Sequence, residues 1–123
     1  TGYLDTGNQL REPISGERVS VVDFEFVKPL FSEEELRCIV NYLNLSQEQQ
    51  PNELHLRLIP YHSIGKKNGY LVAFQADCIE LYIENEWKMI PNPWIGISEI
   101  RISGCGDYQL LLHDMDLEKC ESI

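Results

Sequence analysis

Apolar and polar positions alternate with a period of two over much of the second half of the chain. Leu54, Leu56 and Leu58 alternate with His55 and Arg57, and Ile79, Leu81 and Ile83 alternate with Glu80, Tyr82 and Glu84. Successive strand residues point to opposite faces of a sheet, so this spacing predicts half-buried strands, with His55 at an exposed position. Residues 87–90, 94–102 and 108–112 supply further strands, separated by Pro91-Asn92-Pro93 and by a turn holding Gly104 and Gly106. At the start, apolar Tyr3-Leu4 runs into the turn formers Asp5-Thr6-Gly7-Asn8. Pro13-Ile14-Ser15-Gly16 then marks a second turn before Val19-Ser20-Val21-Val22, which gives strand, loop, strand. Between residues 61 and 71, Gly65, Lys66, Lys67 and Asn68-Gly69 separate two apolar runs. That pattern predicts a long, glycine-hinged hairpin with the lysines solvated at its tip.

One stretch changes period. Ser32 precedes Glu33, Glu34 and Glu35, a capping box with three carboxylates on the positive end of a helix. Leu36, Ile39, Val40 and Leu43 then recur at i, i+3, i+4 and i+7, which predicts one helix over residues 33–44 with those four on its buried stripe. Residues 46–52 are polar and include Pro51, so they read as a loop. The fold class is therefore mainly β with one additional α-helix. There is no internal repeat, so any symmetry has to come from a second copy of the chain.

A length of 123 residues is one domain's worth, and 43% hydrophobic with 24% charged residues is the composition of a globular unit. Twenty acidic against ten basic residues leave a formal charge of -10, which repels phosphate backbones and argues against direct nucleic-acid binding. No run approaches the roughly 20 apolar residues of a membrane span, and no signal peptide opens the chain, so it reads as soluble. It begins without Met inside an apolar run, which reads as a piece of a longer protein. Cys38, Cys78, Cys105 and Cys120 contain no C-x-x-C pair and read as reduced, mostly buried thiols of a cytosolic compartment. His113, Asp114 and Asp116 are too close together on one strand to converge on a metal, so no metal is assigned. Trp87 and Trp94 flank the Pro-rich turn and are read as core or interface packing.

Asp5-Thr6-Gly7 is the candidate chemistry. A carboxylate at a strand-to-loop corner, followed by Gly, can be held by backbone amides and still face a cleft. Asp-x-Gly is also an ordinary turn sequence, so the triplet alone leaves both readings open. Peptide hydrolysis by carboxylates needs two of them sharing one proton, as in the aspartic proteases. One Asp-Thr-Gly supplies half of such a site, and the other half has to come from an identical chain across a two-fold axis.

The blocks Asp5-Thr6-Gly7-Asn8-Gln9-Leu10, Pro13-Ile14-Ser15-Gly16, Ile59-Pro60-Tyr61, Ser63-Ile64-Gly65-Lys66, Gly69-Tyr70-Leu71, Ala73-Phe74 and Leu111-Leu112-His113 carry a resemblance. They resemble the C-terminal protease domain of the sporulation sigma-E factor processing peptidases, the SpoIIGA family. The resemblance implies a single-lobe, retropepsin-like acid-protease β-barrel, working as a homodimer without a cofactor. It implies a parent anchored in the mother-cell septal membrane, with residues 1–123 as its protease domain on the cytoplasmic face. The implied substrate is a pro-sigma factor that loses its N-terminal pro-sequence, and the implied trigger is a forespore signal protein acting through the parent's membrane region.

Carried over residue by residue, Asp5 matches the catalytic Asp. Thr6 matches the hydroxyl that braces the active-site loops, Gly7 the close approach of backbone to substrate, and Asn8 the position typical of the sporulation family. Residues 61–72 match the flap, with Gly65 and Gly69 as hinges; Tyr61, His62 and Ile64 are its other flap or substrate-binding candidates, His62 at the flap base. His113 departs from the retroviral pattern, which has Gly after two apolar residues. The resemblance further implies that an upstream strand completes the fold and the dimer interface in the parent. The competing reading is a non-catalytic domain of the same fold that binds a peptide or partner, with Asp5 shaping the turn. A third is a self-processing protease.

Overall fold

Val19-Ser20-Val21-Val22 and Trp94-Ile95-Gly96-Ile97 are apolar at nearly every position, and the computed structural model buries all eight. Strands apolar in this way belong at the centre of a sheet covered on both faces. The structure describes residues 2–5, 10–43, 56–63, 66–99, 110–113 and 121–122. Its strands are β1 (Gly2–Asp5), β2 (Val19–Asp23), β3 (Arg57–Ser63), β4 (Lys66–Gln75), β5 (Cys78–Ile83), β6 (Glu86–Pro91), β7 (Trp94–Ser98), β8 (Leu110–His113) and β9 (Glu121–Ser122). The larger sheet runs β1-β8-β2-β7-β4-β3, and a smaller one runs β5-β6-β9. The chain is mainly β, as the alternation predicts.

The larger sheet is mixed. β1 pairs with β8 in parallel, β8 with β2 antiparallel, β2 with β7 in parallel and β7 with β4 antiparallel. On one face Val22, Val72, Phe74, Ile95 and Ile97 pack with Val27 and with Ile39 of the helix. On the other, Val19, Ile59, Ala73 and Trp94 gather with Leu10 and Leu71. Gly96 lies on this second face, where a Cβ would meet Leu71 and Val19 side chains at 3.4 Å each.

The capping box forms as the sequence predicts. The Ser32 amide donates to Glu35 Oε1 at 2.9 Å, and the Glu35 amide donates to Ser32 Oγ at 3.1 Å. The helix that follows, α2 (Glu33–Leu43), buries Ile39 completely and packs Cys38, Tyr42 and Leu43 against the sheet. Val40 does not join the predicted stripe: it is 40% exposed, because the sheet meets α2 on the side of Cys38 and Tyr42.

Three other expectations are corrected. A one-turn helix, α1 (Phe24–Val27), and a 3-10 turn (Lys28–Leu30) precede α2, so the chain has more than one helical element. Cys78 is exposed and Cys38 half-buried, because Cys78 falls on the outward positions of β5, whose residues alternate between exposed and half-buried. Trp94 is buried in the core, but Trp87 is 55% exposed and so is not core; it packs against Tyr82 across the β5–β6 hairpin with the rings tilted by 51° and their centroids 5.2 Å apart. Glu84 and Asn85 form that hairpin's turn with positive φ at both positions, the conformation that matches strand twist. Residues 46–52 and His55 lie outside the described residues, as do Cys105, Cys120, Asp114 and Asp116.

Candidate active site

β1 ends at Asp5, and the pairing of β1 with β8 sets Asp5 against His113. β8 is itself held on its other side, by Val21 against Leu111 and Val22 against Leu110. The backbone bearing Asp5 is thus anchored through β8 to the centre of the sheet. Thr6, Gly7 and Asn8 lie outside the described residues.

The chain resumes at Leu10 in a tight hairpin. The Val19 amide donates to Leu10 O at 3.2 Å, Arg11 bridges Arg18, and the Glu12 and Gly16 amides donate to Glu17 O and Glu12 O, each at 2.8 Å. Gly16 takes φ 72° at the tip, a conformation in which a Cβ is strained. Glu12 closes this turn from inside. Its Oε2 accepts from the Ile14 amide at 3.0 Å, the Ser15 amide at 2.6 Å and Ser15 Oγ at 2.7 Å. Its side chain is 1% exposed, and its Oε1 faces Arg57 Nε of β3 at 3.7 Å. Burial opposes ionisation of Glu12, but the Ser15 and Ile14 donors and the Arg57 charge outweigh it and hold the carboxyl below its ordinary range.

β3 and β4 form the predicted long hairpin. Asn68 and Gly69 are part of β4, with Gly69 paired to Tyr61. The register slips between Tyr61–Gly69 and Ser63–Lys66, so Lys67 and Asn68 stand opposite the single residue His62. Two residues against one is the geometry of a bulge, which bends a hairpin and increases its twist. Ile64 and Gly65, between Ser63 and Lys66, lie outside the described residues.

Of the predicted residues, the pairing brings Tyr61 and Gly69 together, with His62 at the bulge beside them. Asp5 and the β3–β4 hairpin are on the two opposite edges of the larger sheet, so no strand pairing joins them. Sequence reading missed Glu12 and its link to Arg57. The signal was a carboxylate just before Pro13-Ile14-Ser15-Gly16, placed to accept from amides two and three residues on.

A family model for the sporulation factor SpoIIGA matches residues 1–115. The chain belongs to the SpoIIGA family. Among its relatives is a sporulation sigma-E factor-processing peptidase of Bacillus subtilis, 27% identical over 117 residues, covering 91% of this chain and 38% of that protein. A protein of the same name from Priestia megaterium is 25% identical over 115 residues, with the same two shares, 91% and 38%. A putative sporulation sigma factor-processing peptidase of Bacillus thuringiensis subsp. kurstaki is 24% identical over 115 residues, 91% of this chain and 71% of that protein. The chain therefore spans 38% of the length of the first two of these SpoIIGA-family relatives. No solved structure matches it.

Proposed function

We propose that this chain is the catalytic domain of an aspartic peptidase that removes the pro-sequence of a sporulation sigma factor. The observation that carries the reading is Asp5, the first residue of the Asp5-Thr6-Gly7 motif, at the end of β1 in a chain whose relatives are named sigma-E factor-processing peptidases.

In this reading two copies of the chain each contribute Asp5, and the two carboxylates share one proton. The ionised member takes a proton from water as it attacks the scissile carbonyl, and the neutral member donates to the carbonyl oxygen. The proton then passes to the leaving amine, so no acyl-enzyme forms. Thr6 braces the two loops, and Gly7 and Asn8 shape the backbone that faces substrate. β1 supports a dimeric arrangement, because it is an edge of the larger sheet among the described residues and such an edge is open to a neighbour.

The β3–β4 hairpin serves as the flap, with Tyr61, His62 and Ile64 toward the peptide and Gly65 and Gly69 as hinges. Its bulge, a geometry that bends and twists a hairpin, supports this role. The parent protein anchors the domain at the cytoplasmic face of the membrane, and a signal protein acts through that membrane region.

The test is cleavage of the pro-sigma factor by the full parent protein carrying Asp5 or Asp5→Asn at equal expression. Loss of cleavage in the variant alone supports the reading. Equal cleavage overturns it and leaves a binding domain of the same fold.

A further inference from the structure

A cleft of about 220 Å³ opens between the Arg11–Arg18 hairpin and the β6–β7 turn, lined by Glu17, Arg18, Pro91, Asn92, Pro93 and Trp94 among others. It is smaller than the roughly 300–1,000 Å³ of a cofactor pocket, and fits one side chain. Arg18 is half-buried in its wall, and its Nε is buried with no hydrogen-bond partner. Nor does Arg18 form an ion pair with any described carboxylate, in a chain with twice as many acidic as basic residues. An Arg in the wall of a cleft, with no described carboxylate paired to it, can take a ligand carboxylate on its terminal nitrogens.

Two features strengthen the case for an anion. Arg11 stands directly across the bridge from Arg18, so two cationic residues lie side by side on this hairpin against the single carboxylate of Glu17 in the cleft lining. Arg11 spends one donor on Gly16 O at 3.0 Å, so that carbonyl is already engaged. The opposite rim is rigid: the Ala76 amide donates to Pro93 O at 3.0 Å, the Asn92 amide to Asp77 O at 2.9 Å and Gln75 Nε2 to Asn92 O at 3.0 Å. A rim fixed in advance loses little freedom on binding.

The cleft also lies at the Asp5 end of the larger sheet. Asp5 pairs with His113, and Val19, the residue after Arg18, pairs with Trp94. Continuing the β8–β2 register from Val21–Leu111 by two residues sets His113 level with Val19. Asp5 and Trp94 are thus in one row across β1, β8, β2 and β7. Three inter-strand steps of about 4.8 Å separate them by roughly 14 Å, the span of about four extended residues.

The geometry points to a subsite that takes an acidic side chain of an extended peptide, about four residues from the bond cleaved at Asp5. The terminal guanidinium nitrogens of Arg18 bind the carboxylate, and the Asn92 carboxamide adds another donor. Glu17 at the rim repels a second carboxylate and limits the subsite to one. The position relative to the cleaved bond rests on the peptidase reading above. The chemistry of the cleft does not.

Binding is therefore tested apart from cleavage, by NMR titration of the complete 123-residue chain carrying Asp5→Asn. The probes are two capped nine-residue Ala/Ser peptides, one with a central Glu and one with Gln there. The Glu peptide is expected to move the Arg18 Nε–H and Trp94 indole N–H signals and to bind at least about tenfold more tightly than the Gln peptide. Arg18→Gln should abolish that preference. Equal binding of the two peptides, or no shift at either signal with the Glu peptide, overturns the inference, and both are read on the chain with Arg18 intact. If Asp5→Asn leaves the parent's cleavage unchanged while the Glu peptide still binds here, the peptidase reading falls and the acidic subsite stands.

Discussion

Arg57 Nε lies 3.7 Å from Glu12 Oε1, and this ion pair ties the hairpin that follows the Asp5 loop to the first strand of the proposed flap. Glu12 is held from its other oxygen by Ser15 and Ile14, so one buried carboxylate sets both the shape of a turn and the position of that turn against β3. Truncating it strands several donors at once. Glu12→Ala is expected to cost about 1–3 kcal/mol of stability, read from urea unfolding midpoints with the slope unchanged.

The same carboxyl makes part of the stability depend on pH. Its folded value is held below the ordinary one, so its contribution is complete above the unfolded value near 4.5 and is lost as pH falls through the lower folded value. The stability difference between the wild type and Glu12→Gln is expected to be constant near neutral pH and to shrink below about pH 4. Unfolding curves of both proteins from pH 7 down to pH 3 measure it, and a difference that grows on acidification contradicts the assignment.

Asp5→Asn in the parent is expected to lower kcat for pro-sigma cleavage by about 10²–10⁴, with little change in KM, because the residue acts on the reacting atoms. Raised salt is expected to slow cleavage of a basic pro-sequence by the unaltered protein, since the charge of -10 attracts it over a screened distance. Reagents that modify serine or cysteine nucleophiles should leave the rate unchanged.

The capping box is testable by itself. Ser32→Ala removes the acceptor for the Glu35 amide and is expected to cost about 1 kcal/mol, visible as a lower unfolding midpoint. Ile39→Ala, which empties a fully buried position between α2 and the sheet, is expected to cost about 2–5 kcal/mol.

Gly96 probes the opposite face. Its missing Cβ leaves room that Leu71 and Val19 fill to 3.4 Å, so Gly96→Val should overpack that cluster and cost about 1–3 kcal/mol, whereas Gly96→Ala should be mild. Equal effects of the two substitutions would mean that backbone freedom rather than space decides the position.

Much of this architecture is legible before any coordinates. Period-two alternation finds β3 and β5, the turn residues mark off β2, β6 and β7, and Ser32 with Glu35 finds the start of α2 to the residue. Asp5-Thr6-Gly7 marks a strand-to-loop corner, and β1 ends at Asp5. These features are local: side-chain direction, capping and turn chemistry act over a few residues, and the chain writes them in consecutive letters. The errors are local readings that a distant contact overrules. Val40 fits the helical stripe as well as Leu43 does, but the sheet approaches α2 from the side of Cys38 and Tyr42.

By itself the sequence determined that the chain is mainly β, where its principal helix begins, and which corner carries the candidate carboxylate. Only the tertiary structure decided that β8 inserts between β1 and β2, so that Asp5 meets His113 and shares a row with Trp94. It alone decided that Glu12 is buried against Arg57 and that Arg18 lines a cleft with no carboxylate paired to it among the described residues. The reason is physical. Backbone hydrogen bonds between strands are alike for every residue, so which remote strands become neighbours depends on burying all the apolar faces together, and no single segment encodes that choice.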